Sequence, residues 1–222
     1  FRKIFMNFSD RLDYLKKVST DKKVLHVGCC GLIKKLKDPN EKRSHIHVLI
    51  ESVANELYGL DIDIEELHEM RQMGHSNLYY ADIQNGYPPE LKNQKFDVVF
   101  FGNMFNYLTN PIKLLSDTKD FLKPGGKVVI TVNNSLSVKS FIRLILNKND
   151  PAFHHHVFNY SPKTSQELLK KANARNVKLS YCWHGPDIFY KQTKKSKFLT
   201  FLLKNFIRNN NLSDTIILEF QL

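Results

Sequence analysis

The chain has 222 residues, 42% hydrophobic and 25% charged, with a formal net charge of +11 at pH 7. Those proportions suit one globular domain with a sizeable core, and no apolar run approaches the roughly 20 residues that span a bilayer. Cys29, Cys30 and Cys182 are odd in number and lack metal-ligand spacing, which points to reduced thiols, a cytoplasmic location and no metal. The positive charge invites a polyanionic partner. The basic residues are mostly lysines spread among many asparagines, however, and a solvated basic surface explains them as well as attraction to phosphate-rich substrates or anionic lipid does.

Residues 2–18 set Ile4, Phe5, Phe8, Leu12, Leu15 and Val18 at helical spacing, an amphipathic helix within an N-terminal segment 1–21 that would cover the sheet or the site. This start carries Asp10 and Asp13 and no small-residue cleavage site, so it reads as part of the fold and not as a signal peptide. A buried strand is predicted at 23–28, running into the tight stretch Gly28-Cys29-Cys30-Gly31. The polar segment 32–43, with Pro39, reads mainly as loop, and Ser44 caps a helix to about Leu57. A second strand at 57–61 stops on Asp61, and Asp63 with Glu66 makes a capping-box-like start to a helix ending near Gly74.

A third strand is expected over 77–83 and a loop over 84–95; FDVVFFG at 96–102, apolar on both faces, is a central strand. Asn110-Pro111 opens a helix to about Lys123, Pro124-Gly125-Gly126 turns the chain, and 127–132 is a fifth strand. An amphipathic helix at 135–148, an irregular loop, a helix opened by Ser161-Pro162 and two final strands at 177–183 and 215–222 complete the single domain, 1–222. Strand and helix alternating at short intervals predict an α/β, doubly wound, mostly parallel sheet.

Four blocks in this order, VLHVGCCG (24–31), YGLDID (58–63), NLYYADI (77–83) and FDVVFFGNMFNYLTNP (96–111) running into FLKPGGKVVITVNN (121–134), resemble a class I S-adenosylmethionine-dependent methyltransferase. Residues 155–172 are similar to a segment of small methyltransferases encoded beside bacterial surface-polysaccharide genes. The glycine stretch is not the G-x-G-x-x-G of a nicotinamide enzyme.

The resemblance implies a Rossmann-like methyltransferase fold, a seven-stranded sheet with an antiparallel last strand, and S-adenosyl-L-methionine as cofactor. Gly28, Cys29 and Gly31 would run along its methionine part with His26 close by. Asp61 would take the ribose diol, Ile62 would lie on the adenine, Asp82 would accept from the adenine amino group, Ile83 would contact the ring, and Asn103 would sit at the methionine end. Plainer uses stand beside these: Asp61 as a helix cap, Asp82 as the cap of a turn at Asn85-Gly86, Asn103 as an ordinary loop residue. Two departures from the family pattern are notable. His26 and Leu32 stand where an acid and a glycine are usual, and Asn103-Met104-Phe105-Asn106-Tyr107-Leu108 replaces a frequent Glu-x-x-Glu-His-Leu.

In such chemistry the sulfonium makes the methyl group electrophilic. The protein orients the acceptor, an effect worth up to about 7–11 kcal/mol, and a hydroxyl acceptor needs a base, which histidine suits best. Of His154, His155 and His156, consecutive residues that cannot all face one site, His156 matches the family position best; the phenol of Tyr107 is a weaker candidate. Segments 134–163 and 184–214 would lie on the substrate side. In the latter, Phe198, Phe201, Leu202 and Phe206 recur at helical spacing among lysines, either as a helix over the cleft or as a basic amphipathic face at 194–208 resting on a membrane. The expected function is O-methylation of a glycan or a related small or lipid-linked acceptor. A nucleic-acid methyltransferase and a catalytically degenerate binding module are the rivals.

Overall fold

The apolar runs become the middle strands of one sheet. The computed structural model describes residues 11–31, 33–38, 45–138, 140, 156–182 and 212–222. Within them β1 (Lys23–Val27), β2 (Glu56–Asp61), β3 (Leu78–Tyr80), β4 (Phe96–Gly102), β5 (Leu122–Asn133), β6 (Arg175–Cys182) and β7 (Thr215–Gln221) pair in the order β3-β2-β1-β4-β5-β7-β6. Neighbouring strands from β3 to β5 are parallel, whereas β7 runs antiparallel to both β5 and β6. The expected seven-stranded sheet with an antiparallel last strand is therefore present, with that strand inserted one place in from the edge. Strand order reverses at β1, which has β2 on one side and β4 on the other; the connections leaving the two strands diverge there and open a crevice.

Six helices accompany the strands among the described residues: α1 (Arg11–Ser19), α2 (Lys34–Lys37), α3 (Ile46–Glu51), α4 (Ile64–Gln72), α5 (Pro111–Thr118) and α6 (Pro162–Lys171). Alternation along β4 divides the core. Val99 and Phe101 join Leu25, Val27, Leu114 and Leu169, while Val98 and Phe100 join Tyr14, Leu15, Val24 and Ile50 under α1 and α3. The Tyr14 hydroxyl donates to Glu219 on β7 at 2.6 Å and so ties α1 to the sheet. Burial pushes the Glu219 carboxyl up, but Lys178, Tyr14 and Lys127 together hold it below the usual carboxylate value. No helix among the described residues is long and apolar enough to cross a membrane.

The capping signals at Asn110 and Ser161 come out as read, whereas the N-cap of α3 is His45, without a side-chain cap bond, in place of the expected Ser44. Asn110 accepts from the Lys113 N–H at 3.0 Å with Pro111 in the first turn, and Ser161 and Thr164 form a reciprocal capping box. Several boundaries differ: β3 covers Leu78–Tyr80 and not 77–83, and α5 ends at Thr118, short of Lys123. Lys34–Lys37 forms a short helix inside the segment expected to be loop. The helix after Ser44 ends at Glu51, because the Val53 and Ala54 N–H groups both turn back to the Ile50 carbonyl. Pro124-Gly125-Gly126 lies inside β5, at a register irregularity opposite Phe96, and is not a free turn. Gly125 adopts φ +78°, and a Cβ on Gly126 would sit 2.9 Å from the Phe96 and Lys123 carbonyl oxygens, so the strand is continuous only because both are glycine. The start of the N-terminal helix, most of the 135–148 helix, His154 and His155, and 183–211 with its amphipathic stretch lie outside the described residues.

His26 belongs to a buried imidazole layer between β1 and α3. Its Nδ1 lies 3.3 Å from Nδ1 of His47, its ring tilts against Phe100 at 4.9 Å, and His47 meets His75 edge-on at 6.0 Å. His75 in turn contacts Glu51 at 2.8 Å, and His45 is buried beside them. Burial drives the His26 pKa well below its ordinary value, with His47, His45 and Arg11 adding to the shift. Burial likewise lowers His47 to about 3, against an opposing pull from Glu51. Both imidazoles are neutral in the native state and protonate near pH 6.5 once unfolded. Stability is therefore fully present above about pH 6.5 and is lost as pH falls toward the folded-state values, by about 1.4 kcal/mol per pH unit for each ring. Urea unfolding midpoints measured between pH 6.5 and 5 are expected to fall with pH, and His47→Gln is expected to remove about half of that slope. A flat profile contradicts the neutral layer.

Candidate active site

The crevice is built where the end of β1 meets the end of β2. Gly28, at φ +79°, turns the chain off β1, and the N–H groups of Gly28 and Cys29 both donate to the Leu60 carbonyl, at 2.8 and 3.1 Å. The next N–H, on Cys30, donates to Oδ2 of Asp61 at 2.8 Å. Asp61 Oδ1 accepts from Ile62 at 2.8 Å and Asp63 at 3.2 Å. The cap of α4 is Asp63, whose carboxylate accepts from the Glu66 N–H at 2.9 Å, so Asp61 is left at the mouth of the crevice and not spent on the helix. A carboxylate offers about four acceptor positions, and three N–H groups leave one open. Beside it Ile62 is 59% exposed and Tyr80, paired with Asp61 across β3, is 54% exposed.

That combination fits an adenosine group: a half-buried carboxylate with acceptor capacity to spare, flanked by apolar side chains left in water. Gly31 is exposed, with no atom closer than 3.9 Å to a Cβ placed there. Cys29 and Cys30 are both buried. The hydrogen bond with Cys29, burial and the Asp61 charge push the Cys30 thiol up, so it stays protonated near neutrality.

At the end of β3, Asp82 closes the turn anticipated at Asn85-Gly86, accepting from the Gln84 N–H at 3.1 Å and Asn85 Nδ2 at 2.9 Å. Ile83 is buried in the main core. Gln84 Oε1 accepts from both the N–H and the hydroxyl of Thr109, which ties this turn to the loop after β4. Asn103 follows β4 in the left-handed region at φ +54°, and its N–H donates to the Thr131 carbonyl at 3.0 Å. With the amide oriented to satisfy its neighbours, its side chain donates to Thr131 and accepts from Arg11 Nη1 at 3.0 Å. His26 lies beneath the crevice, 2% exposed, in the imidazole layer.

The two catalytic candidates do come together. The Asn106 carbonyl accepts from the Val157 and Phe158 N–H groups at 2.7 and 3.1 Å, and its side-chain Nδ2 donates to the Phe158 carbonyl at 2.8 Å. This clamp sets His156 edge-on against Tyr107, ring centroids 4.8 Å apart and planes at 80°. Partial burial lowers the His156 pKa, leaving a neutral imidazole near pH 7. Asn106, which in the sequence looks only like a missing motif carboxylate, is the residue that joins the two loops. Arg11 and Thr131, the partners of Asn103, give no sequence signal at all.

Residues 34–179 match the family described as Methyltransferase domain. The chain belongs to that family. A ubiquinone biosynthesis O-methyltransferase of Actinobacillus pleuropneumoniae is 26% identical over 174 residues, covering 72% of this chain and 64% of that protein. The chain spans about three fifths of the length of the curated relatives it matches. Among solved structures, a SAM-dependent methyltransferase of Thermotoga maritima superposes with TM-score 0.63 at 12% identity, over 95% of this chain and 86% of that one. Another, from Archaeoglobus fulgidus, gives 0.59 at 18% identity, over 95% and 90%. These likenesses establish the methyltransferase fold.

Asn106→Ala tests the side-chain part of the clamp and keeps the two bonds to the main-chain carbonyl. It deletes the buried donor to the Phe158 carbonyl, so a loss of about 1–3 kcal/mol is expected in urea unfolding. A change below about 0.5 kcal/mol contradicts the structural weight given to that side-chain bond.

Proposed function

We propose that the chain transfers a methyl group from S-adenosylmethionine to a hydroxyl oxygen of a small acceptor, a glycan or a lipid-linked sugar. The observation that carries this reading is Asp61, which holds the β1 loop and still keeps one acceptor position at the mouth of the crevice. Asp61 would hold the ribose hydroxyls, Ile62 would cover one face of the adenine, and Asp82, with its turn already closed, would present its remaining acceptor capacity to the amino group. The backbone of Gly28 to Gly31 would line the methionine end, with Asn103 opposite. When bound, the cofactor supplies an electrophilic methyl on a neutral leaving group.

The rest falls to the protein. His156, neutral near pH 7, takes the proton from the acceptor hydroxyl, and Tyr107 fixes the imidazole by its edge contact. Tyr107 and Phe158, 44% and 42% exposed, offer flat apolar faces of the kind that the C–H faces of a sugar ring cover. The O-methyltransferase among the relatives agrees with an oxygen acceptor. Among the described residues Lys23, Lys37, Lys113, Lys123, Lys127, Lys170 and Lys178 each pair with a carboxylate.

Isothermal calorimetry with S-adenosylhomocysteine is the first test: binding in the micromolar range is expected, lost on Asp61→Ala, and affinity no better than millimolar overturns the reading. In a methyl-transfer assay over a panel of hydroxylated acceptors, His156→Gln is expected to lower kcat by about 10²–10⁴-fold while leaving S-adenosylhomocysteine affinity unchanged. The native rate is expected to rise with pH through an apparent pKa below 6.5, as the imidazole loses its proton.

A further inference from the structure

We propose that Cys29, Cys30 and Asp61 form a binding site for a thiophilic divalent cation such as Zn²⁺. The ligand atoms of the three residues all lie within 4.8 Å of one another, and the two sulfurs are 3.9 Å apart. A zinc–thiolate bond of about 2.3 Å places two sulfurs of a tetrahedral site about 3.8 Å apart, so the thiols already stand at the right separation. The same spacing disfavours the obvious alternative, a disulfide between them. Adjacent Cα atoms across a trans peptide are about 3.8 Å apart, short of the roughly 4.4–6.8 Å that disulfides span.

The site is held in place before any ion arrives. Gly28 and Cys29 are fixed to the Leu60 carbonyl, Cys30 is fixed to Asp61, and both thiols are 1% exposed. Rules based on C-x-x-C spacing miss it, because the turn at Gly28 rather than a two-residue loop aims the sulfurs together. On binding, each thiol gives its proton to solvent, two sulfur–metal bonds form, and the carboxylate supplies the third ligand. Three protein ligands leave a tetrahedral ion one further coordination position.

Asp61 is also the proposed ribose ligand, so the cation and the cofactor compete for it; this consequence rests on the reading given under Proposed function. The site itself is tested without the cofactor by titrating the reduced full chain with Cd²⁺ and following cadmium–thiolate charge-transfer absorption in the ultraviolet. One Cd²⁺ per chain is expected, displaced by Zn²⁺. Cys30→Ser is expected to weaken binding beyond the roughly 10–100-fold that outer-shell changes cost, and Cys182→Ser to leave it unchanged. Asp61→Asn, which keeps both thiols, is expected to weaken it by at least about tenfold, and circular dichroism confirms that each variant is folded. Absence of the absorption in the native chain, or its persistence in the Cys29→Ser/Cys30→Ser variant, overturns the site. Calorimetry with S-adenosylhomocysteine at saturating Zn²⁺ then tests the competition. Weaker binding is expected, and unchanged affinity overturns the shared use of Asp61. Failure of the metal-free chain to bind S-adenosylhomocysteine is a failure of the cofactor reading, which the cadmium absorption distinguishes because it does not involve the nucleoside.

Discussion

The Asp61 carboxylate at the end of β2, accepting the Cys30 N–H at 2.8 Å, fixes where the β1 loop goes. Hydrogen bonds to an ionised acceptor are roughly twice as strong as neutral ones, and this bond joins two segments that are 31 residues apart in sequence. With it in place, the loop folds back against the end of β2, with Asp61 at the mouth of the crevice. That contact brings Gly28, Cys29, Cys30 and Asp61 together. Because the same carboxylate borders two buried thiols, the loop carries a second chemistry that a glycine-only loop would lack.

Beneath the loop the usual acid of the family is replaced by His26, and the structure shows what that replacement accompanies. His26, His47, His75 and Glu51 form a continuous polar layer inside an apolar sheet face, with the rings stacked or edge-on to one another. A neutral imidazole can share a hydrogen bond with its neighbour while adding no buried charge, which an acid at the same place would do. The second motif departure has a comparable explanation. Asn106 can donate to the Phe158 carbonyl, which a carboxylate cannot, and in doing so it brings His156 to Tyr107. His156 and Tyr107 thus come from two different loops.

Much of the fold was legible because its signals are local. Strand β4 matches its predicted limits, since a run that is apolar on both faces has only one place in a sheet. Asn110-Pro111 and Ser161-Pro162 mark helix starts because the cap side chain, the fixed proline φ and the first free N–H groups all lie within a few residues. The end of α3 and the Pro-Gly-Gly bulge were not legible: the first depends on where a turn finds the Ile50 carbonyl, the second on the approach of Phe96 from a neighbouring strand. In the site, Asp61 could be read from its place at a strand end. The Asn106 clamp and the Arg11 contact to Asn103 are non-local, and residue types along the chain do not encode them.

The most direct measurement is a crystal structure of the chain with S-adenosylhomocysteine. It is predicted to show the ribose hydroxyls within about 3 Å of the Asp61 carboxylate, with the Cys30 N–H still bound to the same group. A nucleoside lodged elsewhere, or an Asp61 turned away from a ribose in the crevice, would contradict the central role given to that carboxylate.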